Sequence, residues 1–476
     1  MNQDVNSPDF EKAAYREMAP AWTTMDDVCV GLRRLIEQAN LYLPQYPSES
    51  RKSYDARKSM ALFFNAPDRT LAALVGLVFR REPTLGKDVP PQIAAAEGWA
   101  ENIDQCGTHW TVWAREVFEV ALKLGHAAIY VDMPPKLPAG SSRRQAAGRR
   151  PYVATYTAPQ IVNWTEDVAG GQVRLARAIL KEEVTRPKGL YGEEDVTRYR
   201  VLYPGYWQLY EKVLEEGQPP RMDLISEGET NLPFIPLHPV YGRKTGFFTS
   251  RPPLLEIADI SIAHMRKYAD YSVYLHLCRP LNVFKRRDRT RKISEMSAFG
   301  YVDLLPDEDA KVVEPTGAPL QMVRQDLEDL EDWISRLGTS LLAKKGGPAR
   351  TATEEILEHV REDSDLAVAA RSLKDGIEAA FGSMMAYQDP AGMPSGGSVE
   401  LGTEMADLQL DANQIRVLHE MTQGATPVLA IETLHAILQR AGKLPADFES
   451  AKELERLQVQ SDALGRNLLD QFNRGQ

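Results

Sequence analysis

LLEIADISIAHMRKYADYSVYLHL, residues 254–277, follows Pro252-Pro253 and decides how the rest of the chain is read. Leu254, Ala258, Ile262, Met265 and Ala269 recur at steps of three and four. That periodicity predicts one helix with an apolar stripe, roughly 36 Å long at 1.5 Å per residue. A second stretch, LQMVRQDLEDLEDWISRLGTSLLA (320–343), places Val323, Leu327, Leu330, Ile334, Leu337 and Leu341 at spacings of 4, 3, 4, 3 and 4. This heptad-like seam predicts a helix that packs against other helices and suits contacts between neighbouring subunits.

Working outward, residues 278–319 form a compact insert between the two helices, with strand-like runs at 281–284 and 301–305 and several prolines. After the second helix, Lys344, Lys345 and Arg350 flank a Gly-Gly-Pro break. Thr351 and Glu354 then have capping-box spacing for a third long helix that reaches about residue 387. A Pro/Gly-rich linker at 389–398 leads to a helical remainder ending over 449–472. Upstream, the pattern predicts helices over 26–39, 53–64, 67–79 and 111–124. Gly125 stands where a helix C-terminus wants it, and Ala127-Ala128-Ile129-Tyr130-Val131 reads as a buried strand. Residues 136–150, with Arg143, Arg144, Arg149 and Arg150, read as a solvated loop or a contact for an anionic partner. From 152 to about 237 the texture turns to β: 152–156, 173–180, 197–203 and 206–213 are separated by glycine- and proline-bearing turns. No helix-length segment lies between these runs, so antiparallel strands and an α+β chain are predicted.

The length of 476 residues implies about three compact units. With 56 basic and 67 acidic residues the net charge is −11. That balance excludes a protein that grips nucleic acid over a broad basic face. The longest apolar runs fall short of the roughly 18 residues of a membrane span, so no membrane association is expected. The polar N-terminus has no signal-peptide pattern, and residues 1–25 read as a flexible arm. Cys29, Cys106 and Cys278 are widely spaced, which fits a reducing compartment and neither a disulfide framework nor a zinc site.

Known catalytic patterns are missing from the sequence. It holds no GxxxxGK[ST] loop, no GxGxxG after a strand, no GxSxG elbow and no HExxH, and its eight histidines are scattered. No cofactor and no catalytic residue is expected. Asp303, Asp307 and Asp309 allow one enzymatic alternative, a metal-dependent nuclease, although acids around a proline read first as a solvated turn. Asp326, Glu328, Asp329, Glu331 and Asp332 crowd the first half of the 320–343 helix, where acids complement the helix dipole. Basic residues concentrate in the insert, at Arg286, Arg287, Arg289 and Arg291, and in the break at Lys344, Lys345 and Arg350.

Five stretches carry a resemblance: YLPQYPSESRKSY (42–54), NAPDRTLAALVGLVFRREP (65–83), GTHWTVWAREVFEVALKLGHAAIYVDMP (107–134), RPYVATYTAPQIVNW (150–164) and IPLHPVYGRKTGFFTSRPPLLEIADISIAHMRKYADY (235–271). With the order of helix, insert, helix, loop and long helix, the chain resembles the portal proteins of tailed bacteriophages. Among them it is most similar to a portal family long known only as a conserved domain of unknown function. The resemblance implies a portal fold: a wing over 26–252, stem helices over 253–277 and 320–343, and a small α/β clip over 278–319. A tunnel loop over 344–352, a long kinked helix over 353–388 and a helical crown over 389–476 would complete it.

It further implies a homo-oligomer, by expectation a dodecamer, at one capsid vertex of the virion, assembled in the host bacterial cytoplasm. Double-stranded viral DNA would pass through the ring without sequence readout during packaging and ejection. The terminase large subunit, a head-to-tail adaptor, and the major capsid and scaffolding proteins would be its partners. On this reading Lys344, Lys345 and Arg350 contact DNA phosphates. Arg286, Arg287, Arg289 and Arg291 meet terminase or adaptor, and the Val323, Leu327, Leu330, Ile334, Leu337 and Leu341 seam serves oligomer or helix packing. A non-viral helical adaptor that oligomerises through the same seam is the remaining alternative.

Overall fold

The computed structural model describes residues 4–134, 149–169, 171–214, 219–277, 281–285, 309–313, 318–340, 365–390, 394–401, 416, 419, 431–440, 444, 448–453 and 456. Helices α1 (Ala13–Val30), α2 (Leu32–Glu37), α3 (Ala39–Tyr42), α4 (Arg51–Ser59) and α5 (Ala66–Val78) come first. After β1 (Thr84–Leu85) and α6 (Pro91–Ala94), α7 (Trp110–Leu124) runs into β2 (His126–Asp132). The β region comprises β3 (Tyr152–Thr157), β4 (Ile161–Ala169), β5 (Gln172–Lys188), β6 (Gly192–Tyr203), β7 (Tyr206–Val213), β8 (Arg221–Glu229), β9 (Leu237–Tyr241), β10 (Lys244–Gly246) and β11 (Thr249–Ser250). Then follow α8 (Leu255–Leu277), β12 (Leu281–Lys285), β13 (Asp309–Val313), α9 (Ala318–Ser340), α10 (Asp365–Ala386), β14 (Val399–Glu400) and α11 (Ile431–Arg440). The chain is α+β, and its described strand pairs are antiparallel.

Strand β2 joins two cores. It is the middle strand of the sheet β3-β2-β9 and is buried on both faces. Ala127, Ile129 and Val131 belong to the helical core, together with Val117 and Phe118 of α7 and Ile377 and Phe381 of α10. Ala128 and Tyr130 belong to a second core, with Ile161, Trp164, Leu180 and Leu202 from the five-stranded meander β4-β5-β6-β7-β8. Successive side chains of a strand point to opposite faces, so one apolar strand serves both. Helix α10 can lie close on this sheet because position 376 is glycine: a Cβ there would sit 2.6 Å from Val240 Cγ2.

Gly125 makes the sharp transition from α7 to β2. Its φ is +90°, and an added Cβ would lie 2.5 Å from Ser250 Oγ and 2.9 Å from the carbonyl carbon of Arg251. Gly125→Ala is therefore expected to destabilise the protein by about 1–3 kcal/mol through backbone conformation, before any clash is added. Chemical denaturation measures it, and an unchanged midpoint would contradict this account of the turn.

Several boundaries differ from the sequence reading. The arm expected over 1–25 is a helix from Ala13 onward: Trp22 and Met25 are buried in the helical core. Tyr15 Oη donates to the Pro159 carbonyl, 144 residues away, at 3.0 Å. Polar composition concealed this helix because its apolar residues are few and their partners are remote. The helix expected over 26–39 is split by Gly31, at φ +96°. Strands β4, β8 and β9 were not anticipated; β8 is mostly exposed and polar, with no apolar alternation to betray it. The insert's first strand pairs with 309–313, Leu281 opposite Val313 and Lys285 opposite Asp309.

Candidate functional site

Helices α8 and α9 form an antiparallel arm. Lys267 of α8 pairs with Asp326 of α9, and His264 Nε2 lies 3.2 Å from Glu331 Oε1, so advancing along one helix means retreating along the other. The β12–β13 ladder stands at the end of the arm where α8 finishes and α9 begins. From the opposite end to mid-arm it is rooted in the helical core by Leu254, just before α8, by Ile257, Ala258, Ile262, Met265 and Ala269 of α8, and by Ile334 of α9. The apolar stripes of both helices thus pack within the chain.

The seam of α9 is committed within the chain over most of its length. Leu327, Leu330 and Ile334 are buried, and Val323 and Leu337 are half-buried. Leu341 lies outside the described residues. Other surfaces of α9 stay exposed. Met322 and Trp333, 76% and 56% exposed, are eleven residues apart and share one flank.

A buried arginine fastens the arm to the preceding helices. Arg57 Nε and Nη2 donate to the two carboxylate oxygens of Glu49 at 2.9 and 2.8 Å, and Nη2 also donates to the Pro44 carbonyl at 2.8 Å. Arg57 Nη1 lies 3.5 Å from Asp270 Oδ1 on α8, and the guanidinium lies 4.4 Å from the Tyr46 ring centre. Tyr46 Oη donates to Asp270 Oδ2 at 2.8 Å, while Arg266 Nε donates to the Tyr42 carbonyl at 2.6 Å. The hydrogen bonds from Arg57 hold the Glu49 carboxyl below its ordinary range. Residues 42–57 and α8 are thereby bound into one unit at mid-arm. Sequence reasoning missed this cluster; Arg57 sits in a polar helix, and nothing local marks it as buried.

The acids of α9, Asp326, Glu328, Asp329, Glu331 and Asp332, are exposed. Arg324 Nε donates to Glu328 at 2.9 Å and Gln325 Nε2 to Asp329 at 3.2 Å, so part of the charge is answered along the helix. Lys344, Lys345 and Arg350, Arg286, Arg287, Arg289 and Arg291, and Asp303 and Asp307 lie outside the described residues. Arg149 and Arg150, of the basic 136–150 segment, are half-buried. They donate to backbone carbonyls, Arg149 to Pro134 at 2.8 Å and Arg150 to Asn102. Among the described residues, no helix is long and apolar enough to cross a membrane, and no three His, Cys, Asp or Glu side chains are placed to hold a metal ion.

Residues 253–388, which span the arm, its β ladder and α10, match a family model described as a domain of unknown function, DUF4055. No curated protein matches the chain.

Proposed function

We propose that the chain is the subunit of a phage portal, a non-enzymatic ring that conducts double-stranded viral DNA through one capsid vertex. One observation carries the reading: an α+β body sends out α8, turns through the β12–β13 ladder, and returns by α9 to the same core. That is the order of wing, stem, clip and stem implied by the sequence resemblance. The match over 253–388 falls on the same segment. The acid-rich α9 also suits a conduit, because phosphate neutralisation along the path would hold DNA in place. On this reading 278–319 meets the terminase large subunit and the head-to-tail adaptor, and the outer wing meets capsid and scaffolding proteins.

Negative-stain imaging of the purified chain tests the reading directly. Rings with an axial hole, by expectation dodecamers, are the supporting result; monomers or open filaments would refute it. Lys344, Lys345 and Arg350 supply phosphate contacts without base readout. Replacing all three with Ala is expected to leave rings intact while reducing packaged or retained genome several-fold. Unchanged genome content would remove the role assigned to these residues.

A further inference from the structure

We infer that residues 4–19 form a strap that acid releases: it turns on Pro20 and is latched by His126, the buried histidine at the start of β2.

The strap crosses the meander. The Lys12 N–H donates to the Val162 carbonyl at 3.1 Å, and Asn163 Nδ2 donates to the Phe10 carbonyl at 3.0 Å. Lys12 Nζ donates to the Trp164 carbonyl at 2.9 Å and stands 4.5 Å from the Trp164 ring centre. Lys212 Nζ donates to Asp9 at 2.8 Å. Tyr15 packs on the apolar cluster of Val162, Ile179, Tyr199 and Val201.

The hinge lies inside α1. Pro20 has no N–H to give the Arg16 carbonyl one turn earlier. The Thr23 and Thr24 hydroxyls donate to the Ala19 and Pro20 carbonyls at 3.2 and 3.0 Å, a back-bonding that bends helices. Beyond this weak turn Met25 and Val28 are fully buried and hold the rest of α1 in the helical core.

His126 sits where strap and body meet. It is 1% exposed, between the rings of Trp22, Tyr241 and Phe248 at centre distances of 6.3, 6.2 and 6.4 Å. Phe248, strained at φ +52° in the β10–β11 turn, also floors a neighbouring cleft with Phe247. His126 Nδ1 lies 2.7 Å from Ser250 Oγ, and the Ser250 N–H donates to Met18 Sδ of the strap at 3.3 Å. Tyr15 meets Trp22 edge to face at 5.1 Å. His126 Nε2 is buried, and no described group pairs with it. A charged imidazolium carries a proton there that needs an acceptor. Lifting Tyr15 and Met18 admits the water that accepts it.

The charged groups on the surrounding elements leave the ring alone. Glu11, Arg16 and Glu17 of the strap, Glu166 of β4 and Lys244 of β10 exert no effect on it, and burial alone pushes its pKa down to about 4. Tyr15 and Tyr241, both raised by burial, stay neutral. Burial works against the charge of Asp9, yet hydrogen bonds from Lys212 and Ser7 hold its carboxyl below the ordinary 3.8, so that ion pair persists while His126 titrates. The closed ring is neutral, whereas the opened ring regains the ordinary 6.5. Acid therefore favours opening, and the effect grows as the pH falls through 6.5 and levels off near 4.

Deuterium exchange at histidine C2 and at backbone amides, both read by mass spectrometry on the full chain between pH 7 and pH 5, tests the latch. The opening constant of amides 16–19 is expected to rise about twentyfold over that range, while α7 and β2 keep their protection. His126 is expected to take up its proton below about pH 5.5. In His126→Gln, which cannot titrate, the rise is expected to fall below about twofold. Pro20→Ala restores the helical N–H at an exposed position and is expected to cut opening several-fold, which reports on the hinge even where His126→Gln fails to fold. An equal rise in His126→Gln, proton uptake near 6.5 with the strap still protected, or a loss of protection shared by α7 and β2 would each overturn the latch. Unchanged opening in Pro20→Ala would overturn the hinge.

Discussion

Arg57→Met is expected to destabilise the protein by about 3–5 kcal/mol, the loss typical when one partner of a buried ion pair is removed. Arg57 and Glu49 have side-chain exposures of 4% and 9%, and the substitution removes the guanidinium donors from Glu49, which keeps the Tyr46 N–H at 3.2 Å, and from the Pro44 carbonyl. Methionine keeps most of the volume, so the effect reports charge and hydrogen bonding rather than a cavity. The pH dependence has a definite sign. The folded-state pKa of Glu49 lies below its ordinary 4.5. Its contribution is thus present above that pH and lost as the pH falls through the lower folded value. In Arg57→Met most of that acid sensitivity is lost, the Tyr46 N–H remaining, and stability below pH 4.5 changes less steeply. Equilibrium denaturation at pH 7 and at several acidic pH values checks both statements. A loss under 1 kcal/mol would show that the cluster is solvated rather than structural.

Ile334→Ala is expected to loosen the arm without unfolding the body. Ile334 is the residue through which α9 enters the helical core, and truncating a buried isoleucine costs about 2–5 kcal/mol. Hydrogen exchange locates the effect. Amides over 255–277 and 318–340 are expected to exchange about thirtyfold faster or more, by conversion of the lower figure. Amides of β2, held between two cores, keep their protection. Uniform acceleration across the chain would mean that arm and body unfold as one unit.

Much of the arm was legible in the sequence. Helix α8 begins within one residue of the expected position, and α9 has the predicted seam on its buried side. Helix α7, its Gly125 stop and strand β2 were equally legible, because each is encoded by periodicity and a terminator within some twenty residues. The rest was not. Helix α1 derives its burial from partners more than a hundred residues distant, and β8 gains order only as the last strand of a meander. The site was less legible than the fold. Arg57 looks like any surface arginine until folding brings Asp270 to it, and Phe247-Phe248 looks like a hydrophobic run until the turn places both rings in one cleft.

By itself, then, the amino-acid order determined which segments become helices and strands, which faces are apolar, and where glycine must end an element. Those properties depend on steric preferences and repeat lengths that act over a few neighbouring residues. Only the tertiary structure decided that the α9 seam closes on α8 within the same chain, that Arg57 is buried, and that a strained Phe248 floors a cleft. Each depends on groups far apart in sequence meeting at hydrogen-bonding or packing distance, and no local pattern encodes such a meeting.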